Sequence, residues 1–269
     1  VKIAGQELET VQIIFTRGII TLFFTFVMIK SKKVYLWGEN HKILILRGII
    51  GTIALFFVYE SIQRLPLPEA TVIQYLYPIF TALLASLFIS EHMGNQLYFA
   101  IILGFVGIYT ILGFPFINPE YSLDTTNLII AIIGAFLTGF AYVLVRMASN
   151  MKESPYVIMF YFPLFTVPLS FPFAYELWIF PSINTWIVLL LIGVCTQLGQ
   201  TFLTFGYKLL PASKAATTSY IQVPFSALAG AVIFYENISY NFILGSSVIF
   251  FAIFLIIKKR KQSEYNVLD

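Results

Sequence analysis

The chain has 269 residues, of which 59% are hydrophobic and only 11% are charged, and its formal net charge is +3. Soluble domains carry about 25% charged residues, so a water-soluble globule of this size would lack the charges that solvate a surface. The composition excludes such a globule and predicts an all-α polytopic membrane protein. One cysteine and two histidines exclude a disulfide framework and a cysteine-based metal site, and no cofactor is predicted.

Nine segments, taken in chain order, are long and apolar enough to span a bilayer. Each runs for about 20 residues, which matches a hydrocarbon thickness of about 30 Å at the helical rise per residue. Most links between them are short, so the chain has no soluble domain. The predicted spans are 10–29, 42–64, 69–90, 94–114, 127–149, 155–175, 184–207, 212–235 and 239–257.

The lysine and arginine positions give these spans an orientation. If the basic tail that ends the chain is cytoplasmic, alternation through nine spans puts thirteen basic residues inside and only Lys2 and Arg64 outside. The inside residues are Lys30, Lys32, Lys33, Lys42, Arg47, Arg146, Lys152, Lys208, Lys214, Lys258, Lys259, Arg260 and Lys261. We therefore expect a multi-pass protein of the cell (inner) membrane with a cytoplasmic C-terminus.

An internal repeat divides the chain. The stretch "LPLPEATVIQYLYPIF" from Leu65 is echoed by "LPASKAATTSYIQVPF" from Leu210. Each repeat holds an odd number of spans, so the second copy inserts upside down, as in many secondary transporters. The predicted domains are 1–114 for the first repeat, 127–258 for the second, inverted repeat, and 259–269 for a cytoplasmic basic tail.

The same alignment predicts an incomplete first repeat. "VRMASNMKES" from Val145 ends the first span of the second repeat, and its counterpart "VKIAGQELE" stands at Val1. We therefore expect an inverted-topology repeat of five helices plus five, with the first helix missing from this chain and nine spans present.

Several motifs resemble the EamA-type carriers of the drug/metabolite transporter superfamily. They are Arg17 in "FTRGII", the run "YLYPIFTALLASLFISE", and its echo that ends at Glu236. The segments "RGIIGTIALFF" from Arg47 and "LPLPEAT" resemble a branch with bacterial metabolite uptake carriers, some of them for S-adenosylmethionine. The resemblance implies a central cavity between the repeats and transport by alternating access.

Charged residues inside predicted spans need partners, because each costs about 2.5–3.5 kcal/mol at the centre of a membrane helix. Arg17 and Glu60 are predicted at similar depth near the outer face. They are either a cavity-lining pair that binds a zwitterion or exchanges a proton, or a structural pair between two helices. In a third arrangement Glu60 bridges Arg64 at i,i+4 on its own helix. Glu91 and Glu236 end paired helices and are expected to accept hydrogen bonds from neighbouring helix N-termini, with gating as the alternative.

Polar residues share helix faces at a period of about 100° per residue, and amides in lipid would lack partners. These faces therefore point inward, either to a cavity or to interhelical hydrogen bonds. Tyrosines near them are expected to stack on a planar or cationic ligand. The candidate substrate-binding residues are Tyr59, Glu60, Gln74, Tyr77, Tyr142, Gln197, Gln200, Thr204, Tyr220 and Gln222.

The function these patterns favour is a secondary transporter that moves a small organic metabolite across the cytoplasmic membrane by alternating access. The substrate is an amino acid or related zwitterion, or a nucleoside-like methylated metabolite. The alternatives are a membrane-embedded enzyme on lipid-linked substrates and a channel or scaffold. The enzyme is disfavoured because the only aspartates are Asp124 and Asp269. Expected partners are the substrate, the bilayer, a coupling proton or ion and a second copy in a homodimer, but no nucleic acid.

Overall fold

A computed structural model describes residues 3–65, 67–91, 94–111, 113–114, 117, 124–225, 228, 232 and 240–265. These residues include ten α-helices with defined bounds: α1 (Thr10–Ser31), α2 (His41–Arg64), α3 (Leu67–Gln74), α4 (Tyr77–Ile89), α5 (Asn95–Ile111), α6 (Thr125–Asn150), α7 (Pro155–Glu176), α8 (Ile183–Leu209), α9 (Ala212–Thr218) and α10 (Tyr240–Tyr265). Residues 222–225 are helical as well. Short 3-10 turns lie at Ala4–Gln6 and Ser219–Ile221. No strand occurs in this part of the chain, so the predicted all-α class is confirmed.

Six helical stretches are long and apolar enough to cross a membrane. They are Thr10–Ser31, His41–Arg64, Ala70–Ile89, Thr125–Asn150, Pro155–Glu176 and Ile183–Leu209. Shorter apolar helices occupy Asn95–Ile111 and Tyr240–Leu255, where two more spans were predicted. The predicted span 212–235 begins with α9 and lies partly outside the described residues, so the count of nine stays a prediction.

The helices form two compact units. The first unit contains Val1–Leu55 and Ala141–Leu210, and the second contains Phe56–Phe140 and Pro211–Asp269. Helices α2 and α6 each contribute to both units. Each unit therefore takes segments from both predicted repeats, and the repeat boundaries themselves stay a prediction.

In the first unit, α1 packs against α7 and α8. Small residues allow the close approach, because a Cβ on Gly18 would lie 3.1 Å from Val167, and one on Gly193 would meet Ile20. The α1–α8 contact is extended by an apolar cluster at the start of both helices. Its buried members are Ala4, Leu8, Ile13 and Leu189.

Two carboxylates cap helix N-termini in this unit. Glu153, which is 5% exposed, accepts hydrogen bonds from the backbone N–H of Asn40 at 2.6 Å and from its side chain at 2.8 Å, at the start of α2. Glu7 accepts from the backbone N–H of Ser182 at 2.7 Å, from its hydroxyl at 3.1 Å, and from the Thr185 hydroxyl, at the start of α8. Both carboxylates accept hydrogen bonds from groups at the start of a helix, where backbone N–H groups have no partner within the helix. Each also places a negative charge at the positive end of the helix dipole.

A third carboxylate does the same in the second unit. Glu91 accepts a hydrogen bond from the backbone N–H of Ala212 at 2.7 Å, at the first residue of α9. The expectation that Glu91 accepts from a neighbouring helix N-terminus is confirmed. Its counterpart Glu236 lies outside the described residues.

The second unit also contains two interrupted helices. Helix α3 ends at Gln74 and α4 begins at Tyr77, while α9 ends at Thr218 and continues as a 3-10 turn. Pro78 and Pro224 follow the two interruptions, and proline has no N–H to donate to the preceding turn. The prolines therefore explain why the backbone leaves α-helical geometry in both copies of the repeated motif.

The two interruptions contact each other. The Tyr220 hydroxyl donates to the backbone carbonyl of Tyr75 at 3.2 Å, and the hydroxyls of Tyr77 and Ser219 are hydrogen-bonded. Tyr220 is fully buried, and its ring lies 6.1 Å from that of Tyr75. Side-chain hydroxyls thus form hydrogen bonds with polar groups where the helices are interrupted. Backbone inside a membrane needs such bonds, because lipid offers none.

Helices α5 and α10 form the other main contact of the second unit. They cross at two glycines, where a Cβ on Gly107 would lie 2.7 Å from the carbonyl oxygen of Gly245. A Cβ on Gly245 would in turn meet the Gly107 carbonyl and the Ile111 backbone. The obstacles are backbone atoms that a rotamer change cannot move, so this crossing requires glycine on both helices.

We predict that Gly245→Ala destabilises the protein by about 1–3 kcal/mol, because the added methyl group forces the two backbones apart. The matched control is Gly199→Ala, since a Cβ there would meet nothing within 4 Å. Thermal unfolding of both variants in detergent measures the difference. Equal melting temperatures for the two variants would contradict the α5–α10 contact.

The hydrogen bonds from Thr185 and Ser182 hold the pKa of the Glu7 carboxyl below its ordinary value of 4.5. A lowered pKa in the folded state adds stability that is present above the unfolded pKa and lost as pH falls through the folded pKa. We therefore predict that Glu7→Gln lowers the melting temperature at neutral pH and that the loss shrinks below pH 4.5. Glu9→Gln is the control, because the Glu9 side chain makes no capping hydrogen bond. A pH-independent loss would show that the carboxylate charge is not what matters.

Candidate functional site

A small polar cavity lies inside the first unit, where α1, α7 and α8 meet. Its volume is about 10 Å³, which is room for roughly one water molecule. Three helices contribute to its wall, which contains both polar and apolar side chains. The lining residues are Arg17, Gly18, Thr21, Met159, Phe162, Pro163, Thr166, Thr196, Gln197 and Gln200.

The lining combines groups that suit a zwitterion. Arg17 supplies a permanent positive charge, and Gln197 and Gln200 each offer a hydrogen-bond acceptor and two donors. Hydroxyls and an aromatic ring complete the wall. Three of the predicted site residues therefore converge on one cavity from two different helices.

Gln197 has two roles in this structure. It is 6% exposed, and its amide oxygen accepts a hydrogen bond from the Thr25 hydroxyl of α1 at 3.0 Å. Its amide nitrogen lies 3.5 Å from the sulfur of Met28. Sequence analysis set cavity lining against interhelical bonding as alternatives, and for this glutamine the structure shows both. Thr204, one further candidate on α8, is buried but does not line the cavity.

Pro163 interrupts the backbone hydrogen bonding of α7 next to the cavity. It lies in the middle of α7 and has no N–H to donate to the carbonyl of Met159, four residues earlier. Met159 itself lines the cavity. A carbonyl released in this way is a natural acceptor for an ammonium group, and broken helices bind substrates in other transporters on the same principle.

The remaining candidates lie in the second unit, except Tyr142. Gln74 donates to the Thr138 hydroxyl at 3.3 Å, so its amide bridges α3 and α6. Tyr77 and Tyr220 bond across the helix interruptions. Tyr59 is half-buried, and Gln222 is exposed. Their roles in substrate binding stay predictions.

Glu60 makes an ion pair within its own helix. The Nη2 atom of Arg64 lies 2.5 Å from Oε1 of Glu60, and the two side chains are 49% and 43% exposed, respectively. This is the i,i+4 bridge that the sequence offered as an alternative, and a pair so exposed contributes less than about 1 kcal/mol. Arg17 belongs to the first unit and Glu60 to the second, and a contact between them stays a prediction.

Tyr142 and Arg146 occupy the part of α6 that belongs to the first unit. The rings of Tyr142 and Tyr207 lie 5.1 Å apart. Arg146 donates to the backbone carbonyls of Tyr207 at 3.1 Å and Lys208 at 2.9 Å. A cation on the last carbonyls of α8 is favoured by the helix dipole, so Arg146 stabilises the end of that helix.

The sequence did not predict the burial of Arg47. Arg47 was counted among the bases of the cytoplasmic side, but the structure places it inside α2 at 3% exposure. Its guanidinium carbon lies 4.9 Å from the ring centroid of Phe162, a residue of the cavity wall. A signal was available, because the tetrapeptide Arg-Gly-Ile-Ile occurs at both Arg17 and Arg47.

Two larger hollows in the first unit have a different chemistry. One, of about 530 Å³, lies at the start of α2 around His41 and Lys42. The other, of about 470 Å³, is lined by Phe15, Thr16, Trp178, Trp186 and aliphatic residues, with no charged side chain. An apolar, tryptophan-bordered groove suits acyl chains at a membrane interface. Neither hollow combines a cation with convergent amides.

Comparisons with known proteins agree with this architecture. The model of the EamA-like transporter family matches residues 1–113 and 125–258. The pseudopaline exporter of Pseudomonas aeruginosa is 28% identical over 228 residues, which cover 84% of this chain and 78% of the exporter. The S-adenosylmethionine uptake transporter of Rickettsia prowazekii is 26% identical over 272 residues, covering 97% and 87%. A solved crystal structure that is 15% identical has a TM-score of 0.81 over 94% of this chain and 89% of that one, which shows a shared fold.

The family model and the relatives identify a multi-pass membrane transporter and not an enzyme. The chain belongs to the EamA-like transporter family. It is a secondary transporter of small organic metabolites, with the two-repeat fold of that family.

We predict that Thr25 and Gln197 are energetically coupled, because their hydrogen bond joins α1 to α8. In a double-mutant cycle, Thr25→Val and Gln197→Leu should show a coupling of about 0.6 kcal/mol, the average for hydrogen bonds between membrane helices. Unfolding of the wild type, both single variants and the double variant in mixed micelles measures it. Strictly additive effects would mean that the two side chains do not interact.

Proposed function

We propose that this carrier binds its substrate in the cavity formed by α1, α7 and α8, and that the substrate is a small zwitterion of the amino-acid class. The observation that carries the proposal is the convergence of Arg17, Gln197 and Gln200 on one cavity. A guanidinium is suited to an α-carboxylate, while amide oxygens, threonine hydroxyls and the Met159 carbonyl are suited to an α-ammonium.

S-adenosylmethionine is the first substrate to test. It carries an α-carboxylate, an α-ammonium and a sulfonium, together with an aromatic base that can stack on a ring such as Phe162. Relatives that span almost the whole chain are S-adenosylmethionine uptake transporters. An export substrate related to that of the pseudopaline exporter is the second candidate, favoured by the similarity to that protein.

The size of the cavity supports alternating access. Sites for metabolites usually enclose about 300–1,000 Å³, far more than the volume found here. Helices α1, α7 and α8 must therefore separate before a metabolite enters, and the prolines of α7 provide a place to bend. In this view the structure represents a state that is closed around the binding groups.

Orientation and coupling complete the proposal. Without Arg47, twelve basic residues still fall inside against two outside, which supports a cytoplasmic C-terminus. A coupling proton or ion belongs to the proposal because the sequence has no ATP-binding motif.

We predict that Arg17→Gln and Gln200→Leu each lower S-adenosylmethionine transport to about a tenth or less, because each removes a hydrogen-bonding group from the substrate. Uptake of the radiolabelled compound into proteoliposomes measures the rate, and size-exclusion profiles monitor folding. The control is Gln96→Leu, an exposed amide at the start of α5. Normal transport by both cavity variants would place the site elsewhere.

If the wild type moves no S-adenosylmethionine, the same assay is run with a panel of amino acids and methylated nucleosides. Saturable uptake of one of them that both cavity variants lose would support the site and change the substrate. Loss of folded protein in the Arg17 variant would instead support the structural role of that residue.

A further inference from the structure

Arg47 is a buried cation whose hydrogen-bonding capacity is only partly used. It is 3% exposed, and its Nε and Nη1 atoms have no hydrogen-bond partner among the described residues. An arginine cannot lose its charge by deprotonation. Burying such a group without an acceptor is costly, and native proteins keep buried charges paired or hydrogen-bonded.

The surroundings of Arg47 are aromatic. The guanidinium carbon lies over the Phe162 ring, 4.9 Å from its centroid. A ring face offsets part of the cost of burial but accepts no hydrogen bond in the guanidinium plane. The Phe162 ring therefore partners the charge but leaves Nε and Nη1 without a hydrogen-bond acceptor among the described residues.

Gly51 leaves space for the guanidinium of Arg47. A Cβ on Gly51 would collide with Nη1 of Arg47, one turn earlier on the same helix. The guanidinium thus extends toward the C-terminal end of α2, into space that any larger residue at position 51 would fill. The arrangement is specific, because both the ring and the missing side chain define where the charge lies.

Phe162 connects Arg47 with the proposed transport site. Its side chain lines the cavity that contains Arg17, and its ring also carries the guanidinium of Arg47. A rotation of this one side chain would change the access of Arg47 to the cavity. Phe162 is therefore a link between the two arginines of the repeated Arg-Gly-Ile-Ile sequence: it lines the same cavity as Arg17 and contacts Arg47.

We propose that Arg47 acts as a second guanidinium, in addition to Arg17, for the carboxylate of the transported metabolite, and that the Phe162 ring turns aside to admit it. A planar carboxylate is the partner that suits a guanidinium best, since it accepts two parallel hydrogen bonds. Bound there, the substrate supplies the acceptors that the protein itself does not. This inference rests on the proposed function, because it names the group of the zwitterion that the carrier recognises.

The test compares ligands that differ only in the carboxylate. The pairs are S-adenosylmethionine and decarboxylated S-adenosylmethionine, methionine and 3-(methylthio)propylamine, and histidine and histamine. Binding to the purified full-length chain is measured by thermal shift and by equilibrium dialysis. We expect the wild type to prefer the carboxylate member of at least one pair, and Arg47→Gln to weaken that binding roughly 10- to 100-fold while the amine is unaffected.

Two variants serve as comparisons. Gly51→Ala keeps the charge but displaces the guanidinium, so it should lose the same preference even if Arg47→Gln folds poorly. Arg64→Gln removes an exposed arginine from the same helix and should change nothing. A carboxylate preference that survives in both Arg47→Gln and Gly51→Ala would overturn the inference and leave the proposed function intact.

Stability without ligand separates a structural role from a binding role. A cation held only for packing makes Arg47→Gln less stable than the wild type in ligand-free buffer, and that result would overturn the inference. A cation kept for an anionic ligand is a source of strain without it, so the variant should then melt at the same temperature or higher. If no pair binds, the proposed substrate class fails, and this measurement alone decides whether Arg47 is structural.

Discussion

The structure depends on one constraint: inside a bilayer, each polar group needs a partner that the protein supplies. Hydrocarbon offers no hydrogen bonds, so an unsatisfied backbone or side-chain group costs several kcal/mol. The hydroxyls of Thr52 and Ser170 meet this demand by donating to carbonyls one turn back on their own helices. At the interrupted helices, tyrosine and serine hydroxyls take over where regular backbone bonding stops.

The same constraint explains the carboxylates at helix starts. Glu7, Glu91 and Glu153 each accept backbone N–H groups at the N-terminus of another helix. In the predicted repeats, Glu7 precedes the second helix of the first repeat and caps the third helix of the second. Glu153 precedes the second helix of the second repeat and caps the third helix of the first. That correspondence follows if one ancestral contact was duplicated with the repeat. These acidic residues therefore hold helix ends in place.

Because nearly every buried polar group needs a hydrogen-bond partner, a group that has none is informative. A transport site must offer polar groups to a ligand, and the protein must remain folded when no ligand is bound. The cavity of the first unit does so with flexible groups, because glutamine amides and threonine hydroxyls have partners within the protein and can exchange them for a ligand. Arg47 differs, since its charge is permanent and two of its nitrogens lack a partner among the described residues.

The candidate site was predicted only in part. Gln197 and Gln200 were identified because polar residues one turn apart on an apolar helix stand out against the lipid-facing surface. Arg17 was identified by its depth in the span. Arg47 was not, because an arginine near a predicted helix end resembles a cytoplasmic anchor, and burial depends on which helices surround it.

Sequence by itself determined the membrane class, the all-α architecture and the family, because hydropathy and the repeated motif are properties of single segments. Tertiary structure decided which polar residues meet. Glu60 had two potential partners, and coordinates show its bond to Arg64. The cavity, the three caps and the burial of Arg47 join residues more than 100 positions apart or on different helices. Such contacts depend on how helices pack and rotate about their axes, and local sequence patterns do not specify that rotation.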